Sequence, residues 1–247
     1  MDGFEHNNGI IVIGATNRVE VLDSALLRAG RFDRKVYVHN PSFKERIEIA
    51  KIYLKKVQHD KEVLANKVSE LTIGMPAASV RLMINEAAIF AVRAGREFIN
   101  LTDLDMANDK LRIGMPSSLD LQDKRLLVAY HEAGHALLAV LCKSSDPIHK
   151  ATITPMGRAA GFVSRVPSKD KVMSTFDELL SNIIIACGGR AAEEIMFGPS
   201  HITIGASSDI QNATNTARAM VTEYGMSSKL GFITVSYTHL RAHETVR

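Results

Sequence analysis

A chain of 247 residues has room for one large domain or two small ones, each with its own buried core. Hydrophobic residues make up 46% and charged residues 23%, with a mean hydropathy of +0.00, which excludes a disordered or fibrous polypeptide. The net charge of +3 and isoelectric point near 8.8 come from 30 basic residues interspersed with 27 acidic ones; without a long basic run, no nucleic-acid partner is expected.

At the N-terminus, MDGFEHNNG is too polar for a signal peptide, and no stretch reaches the roughly 18 consecutive apolar residues of a membrane span. As written, the polypeptide reads as soluble. GIIVIGAT, residues 9 to 16, is a β-branched apolar run closed by Gly14 and predicts a buried, parallel strand. A core strand so close to the start, with nothing before it to pair with, points to a minor partner strand or to a chain cut from something longer. Asp23 is placed to cap a short helix over SALLRAG, and KVYVHNP predicts a second strand.

From Ser42 to about Leu111 the pattern becomes helical. FKERIEIAKIYLKKV sets Ile47, Ala50, Tyr53, Leu54 and Val57 at helical spacing over a charged outer face. AASVRLMINEAAIFAVRAG reads as a helix closed by Gly95, and NLTDLDMANDKL as a short one with Thr102 as its cap. RIGMPSSLD, residues 112 to 120, is a Gly/Pro/Ser break and marks the domain boundary. Beyond it come a long apolar helix over about 121 to 142, a strand-like segment KATITPMGRAAGFVSRVP, and helices near 174 to 197 and 206 to 222. Cys142 and Cys187 have no CxxC partner, which excludes a disulfide framework or cysteine zinc knuckle and fits a reducing compartment.

The chemistry is concentrated in AYHEAGHALLAV, residues 129 to 140. Positions i and i+4 of a helix are stacked neighbours, so His131 and His135 can offer their imidazoles to one ion, with Glu132 beside them. This is the H-E-x-x-H arrangement of two zinc ligands and a general base. Zinc lowers the pKa of a bound water toward ~7, and the glutamate can take its proton. The bland alternative is a core helix with two satisfied histidines. The flanks are apolar nearly all round, however, and three ionisable groups buried there would cost several kcal/mol unless paired or metal-bound. Gly134 adds roughly 1 kcal/mol of helix cost with no local return. A catalytic zinc needs a third protein ligand. Glu193, Glu194 and Asp209 are all candidates; Asp209 sits in the first turn of a helix whose neighbours Ala206, Ala213 and Ala217 are small, and it equally suits that helix's dipole.

GIIVIGATNRVEVLDSALLRAGRFDR resembles the second half of an AAA+ ATPase core. HEAGHA followed by GGRAAEEIMFG and GASSDIQNATNTARAMVTEYGMS resembles the peptidase domain of the FtsH family of ATP-dependent zinc metalloproteases. The match runs in order from Met1 to about Ile233, and two unrelated motif sets in one order make it specific. The resemblance implies that His131, His135 and Asp209 bind zinc, that Glu132 is the catalytic base, and that Glu193 supports the site without ligating. It also implies that Asn17 is the polar sensor near the hydrolytic water, and that Arg31 and Arg34 are arginine fingers reaching the γ-phosphate held by a neighbouring subunit.

The departures are informative too. No G-x-x-x-x-G-K-[ST] loop and no apolar strand ending in Asp-Glu is present, so the phosphate cradle and the magnesium carboxylate are missing. GMPAASV stands where the family has a Gly-Phe-Ser-Gly-Ala-Asp-like turn, which leaves an adenine contact around Ala77 and Ala78 without its usual frame.

The expected fold class is thus α+β and mostly helical: a truncated AAA+ α/β core at 1–41, a helical lid at 42–114, an α-helical zinc metallopeptidase domain at 115–235, and a non-native tail at 236–247. The implied function is that of an ATP-dependent zinc metalloendopeptidase degrading unfolded, soluble and membrane proteins. The implied cofactors are zinc here and ATP with Mg2+ in the full-length protein. The implied partners are protein substrates, five further copies in a homo-hexamer, and a membrane reached through a missing N-terminal segment, with the catalytic part on the cytoplasmic or organelle-matrix side. The alternative is a non-catalytic assembly module that keeps the peptidase fold.

Overall fold

The computed structural model describes residues 11–117, 123–157, 159–167, 170–171 and 173–234. The chain divides into two compact units, Met1–His39 and Asn40–Arg247.

In the first unit the described residues form two short 3-10 turns, Val19–Val21 and Ser24–Leu27. Asp23 caps the second by accepting the N–H of Ala25 at 2.8 Å, as expected, although the turn is shorter than the helix read from the sequence. The two predicted strands, at 9–16 and within KVYVHNP, are not found among the described residues, which corrects the expectation of an α/β core here. A parallel strand exists only by pairing with neighbours. Neither run has a strand partner among the described residues, and Ile13 and Val38 stand 87% and 94% exposed instead of buried.

The second unit opens with four helices. In α1 (Phe43–Leu54), Ser42 and Glu45 form a reciprocal capping box, and Ala50 and Leu54 of the predicted face are buried. α2 (Ala65–Leu71), α3 (Ala77–Arg93) and α4 (Leu101–Arg112) close a common core with α1 around Leu71, Met83, Ile84 and Leu104. Gly95 follows the end of α3 at φ +71°, the left-handed exit that glycine tolerates. The cap of α4 is Asn100, not Thr102: its side chain accepts the Asp103 N–H at 3.0 Å, and Asp103 accepts the Asn100 N–H at 2.9 Å. Both candidates have an acid three residues on, Asp103 after Asn100 and Asp105 after Thr102; the helix begins at Leu101, so the reciprocal bonds form at Asn100 and Thr102 lies inside the first turn.

The 112–117 break lies against 155–157: Gly157 donates to the Met115 carbonyl at 2.7 Å and Ser117 to that of Pro155 at 2.9 Å. Then follow α5 (Arg125–Leu141), an antiparallel hairpin of β1 (Ile148–Thr152) and β2 (Phe162–Arg165), α6 (Phe176–Phe197, capped by Thr175 and Glu178) and α7 (Ser207–Thr222). These match the predicted helices to within a few residues. α5 is not buried all round, as its composition suggested. One face meets α6 and the hairpin, while Leu137 and Val140 on the other are 60% and 73% exposed. The expected tail at 236–247 lies outside the described residues. No helix among the described residues is long and apolar enough to cross a membrane.

Candidate metal centre

α5 and α6 approach each other through glycine. A Cβ on Gly134 would lie 2.3 Å from the Gly188 carbonyl oxygen, and one on Gly188 would lie 2.7 Å from that of Gly134. The helix cost of Gly134 therefore has its return in tertiary packing. One residue along α6, a Cβ on Gly189 would meet Nε2 of His131 at 2.4 Å and Nε2 of His135 at 2.6 Å, so only glycine leaves room for the two imidazoles.

Each imidazole is oriented from behind. Nδ1 of His131 lies 2.7 Å from Oε1 of Glu193, and Nδ1 of His135 lies 2.7 Å from the Ile185 carbonyl oxygen. Both partners are acceptors, so both Nδ1 atoms carry the proton and both Nε2 atoms turn their lone pairs to the cleft. These two lone pairs lie 3.0 Å apart, and Oδ2 of Asp209 stands 3.4 Å and 3.5 Å from them. Three acceptors converging with no donor between them need a cation. Zinc with ligand bonds of about 2.0–2.1 Å in a tetrahedron separates its ligand atoms by about 3.3 Å, close to what is seen. The donor set and the glycine cradle fit the metal.

The electrostatics agree. Burial pulls the His131 pKa down, but the Asp209 and Glu193 carboxylates on either side of the ring outweigh it and the net shift is upward. His135 is also raised, its burial overcome by Asp209 and the Ile185 carbonyl. Burial alone would raise the Asp209 carboxyl, yet the two imidazoles hold it well below the usual carboxylate range. A field that favours positive charge at one point favours a metal ion there. Glu132 behaves oppositely: burial pushes its carboxyl up, only partly offset by His135 and His131, so it is a readier proton acceptor than an ordinary glutamate.

All four residues line one cleft of about 660 Å³, walled on one side by the start of β2. There Gly161 is pressed against Glu132, whose Oε1 a Cβ would meet at 3.1 Å. Of the other candidate ligands, Glu193 is fully buried behind His131 and also accepts the Thr203 N–H at 2.8 Å, while Glu194 is exposed and paired with Arg190 at 2.8 Å. α7 packs along α6 rather than against α5, with Ala206 and Ala213 buried and Ala217 exposed. The Ile185 carbonyl, Thr203, Gly161 and Gly189 were not singled out from the sequence; the Gly-Gly pair inside GGRAAEE was the available signal. In the other unit Asn17 and Arg34 are exposed, and Arg31 donates to the Ala25 carbonyl at 3.0 Å.

Comparisons with known proteins agree with this geometry. The family described as Peptidase family M41 matches residues 119–246, and the ATPase family associated with various cellular activities (AAA) matches residues 1–40. The chain is 45% identical over 233 residues to the ATP-dependent zinc metalloprotease FtsH of Rickettsia bellii, an alignment covering 94% of this chain and 36% of the relative. It is 44% identical over 247 residues to the ATP-dependent zinc metalloprotease YME1L1 of Mus musculus, covering 99% of this chain and 34% of that protein. The chain thus spans about a third of the length of the curated relatives it matches. With the M41 match spanning more than half of its residues, the chain belongs to peptidase family M41.

Proposed function

We propose that this chain is the proteolytic part of an ATP-dependent zinc metalloendopeptidase, in which His131, His135 and Asp209 hold zinc and Glu132 is the general base. The observation that carries the reading is the convergence of the three acceptor atoms, 3.0 to 3.5 Å apart, in a cleft. Zinc bound there supplies Lewis acidity to a peptide carbonyl and acidifies a water. Glu132 takes the proton of the attacking water and returns it to the leaving amine, a role its raised pKa suits. Glu193 holds the His131 ring in the ligating tautomer, and the Ile185 carbonyl does the same for His135.

In the whole protein, we infer a homo-hexamer at a membrane, acting on unfolded, soluble and membrane proteins, with the catalytic part on the cytoplasmic or matrix side. ATP and Mg2+ serve the AAA part, where Asn17 orients the hydrolytic water and Arg31 and Arg34 reach a neighbour's nucleotide. The 247 residues contain no G-x-x-x-x-G-K-[ST], so ATP turnover is not expected of this chain alone. The divisions at 41, 114 and 235 are part of the same reading. A non-catalytic assembly module would have no use for an intact His131, Glu132, His135 and Asp209 set lining one cleft. Casein hydrolysis is the test: it should require zinc, stop with a chelator and return when zinc is restored. Hydrolysis indifferent to chelation would sink the reading.

A further inference from the structure

The cleft that holds the metal site is also lined by a cation, Arg165, that makes no ion pair among the described residues. Arg165 ends β2, lines the cleft, and places Nη1 3.0 Å from Oδ1 of Asn182 and 3.3 Å from Oγ of Ser145. Both partners are neutral. The acids adjacent to these partners in sequence are paired with another cation: Lys171 holds Asp146, next to Ser145, at 2.6 Å, and Glu178, one turn before Asn182 on α6, at 3.0 Å. Nε and Nη2 of Arg165 have no partner among the described residues. The guanidinium is therefore fixed by two neutral oxygens with its planar donor edge unspent, the arrangement that takes a carboxylate with paired hydrogen bonds.

Its distance from the chemistry follows from the strand. Gly161, just before β2, touches Glu132, and Arg165 lies four residues further on. At about 3.3 Å per residue this places the Arg165 backbone roughly 13 Å along the strand from Gly161, the point beside the base. The second edge of β2 has no strand partner among the described residues, so an extended peptide can lie beside it with matching spacing. We propose that Arg165 is a specificity-determining residue that binds an acidic side chain of an extended substrate peptide about four residues from the bond to be cut. This rests on the peptidase reading above and adds to it a preferred substrate feature.

The test uses the zinc-loaded full chain carrying Glu132→Gln, which binds peptides without turnover, and decapeptides with blocked ends and a single Asp or Asn moved along the sequence on a fixed aromatic anchor. Fluorescence anisotropy should show Asp binding about tenfold tighter than Asn at one position, three to five residues from the cut, and near unity elsewhere. In Glu132→Gln/Arg165→Gln that ratio should fall to one; in Glu132→Gln/Arg165→Lys part of it should remain. A merely structural Arg165 would shift the affinities of both peptides together and leave their ratio intact, which overturns the proposal. A preference that appears only with a free C-terminal carboxylate, whatever the side chain, overturns the side-chain assignment. Cleavage of the uncharged peptides by the Glu132-containing chain reports on the peptidase reading separately, since the binding ratio needs no turnover.

Discussion

Glu193 and His131 form a buried pair whose geometry decides the chemistry of the ring's far side: Oε1 sits 2.7 Å from Nδ1, and no part of the Glu193 residue is exposed. Because the carboxylate can only accept, it keeps the proton on Nδ1 and the lone pair on Nε2. Glu193→Ala should weaken zinc binding by about 10–100-fold, and Glu193→Gln by less, since an amide oxygen still accepts. Competition against a chromophoric chelator measures this. Unchanged affinity in Glu193→Ala would mean that His131 is oriented by packing alone.

The glycine crossing of α5 and α6 sets two opposing terms against each other. Gly134→Ala should gain about 1 kcal/mol of helix propensity. The added Cβ would sit 2.3 Å from a backbone oxygen, which no rotamer relieves, and such overpacking costs about 1–3 kcal/mol. A net destabilisation of about 1 kcal/mol or more is expected in urea unfolding; a more stable variant would contradict the close approach.

Among the first four helices of the second unit, Asp103 takes both guanidinium nitrogens of Arg96 at 2.7 Å and the Asn100 N–H at 2.9 Å. Burial pushes its carboxyl up, but these bonds win and its pKa is lowered. A depressed folded-state pKa contributes stability that is fully present above the unfolded value of about 3.9 and is lost as pH falls through the folded value. The chain should thus lose stability on acidification below about pH 4. Asp103→Asn should cost about 2 kcal/mol at neutral pH and reduce that acid dependence. Equal acid slopes for the two chains would remove Asp103 from the account.

Much of this was legible because it is local. The HEAGH pair follows from i, i+4 stacking, and Asp23 caps the turn that directly follows it in sequence. What stayed hidden depends on distant partners. Residue spacing left Glu193, Glu194 and Asp209 open, because only the placement of α6 and α7 puts one on Nδ1, one in solvent and one on Nε2. Gly134 looked costly because the oxygen it accommodates is on another helix. The runs at 9–16 and 35–41 have strand composition, yet composition supplies no neighbour to pair with.

Gly189 gives a sharper probe of the cradle than any ligand, because it contributes no donor atom. Gly189→Ala would place a methyl 2.4 Å from Nε2 of His131, so zinc occupancy should fall severalfold while the helical content by circular dichroism is kept. Full zinc occupancy in that variant would show that the two rings are free to swing away.

The most direct measurement of the central claim is the zinc content of the purified chain and its variants by mass spectrometry, alongside casein hydrolysis. One zinc per chain is expected in the unaltered protein and in Glu132→Gln, which should hydrolyse no casein. His131→Ala, His135→Ala and Asp209→Ala should each lose the metal. A zinc-free parent chain, or full zinc retention in Asp209→Ala, would contradict the account.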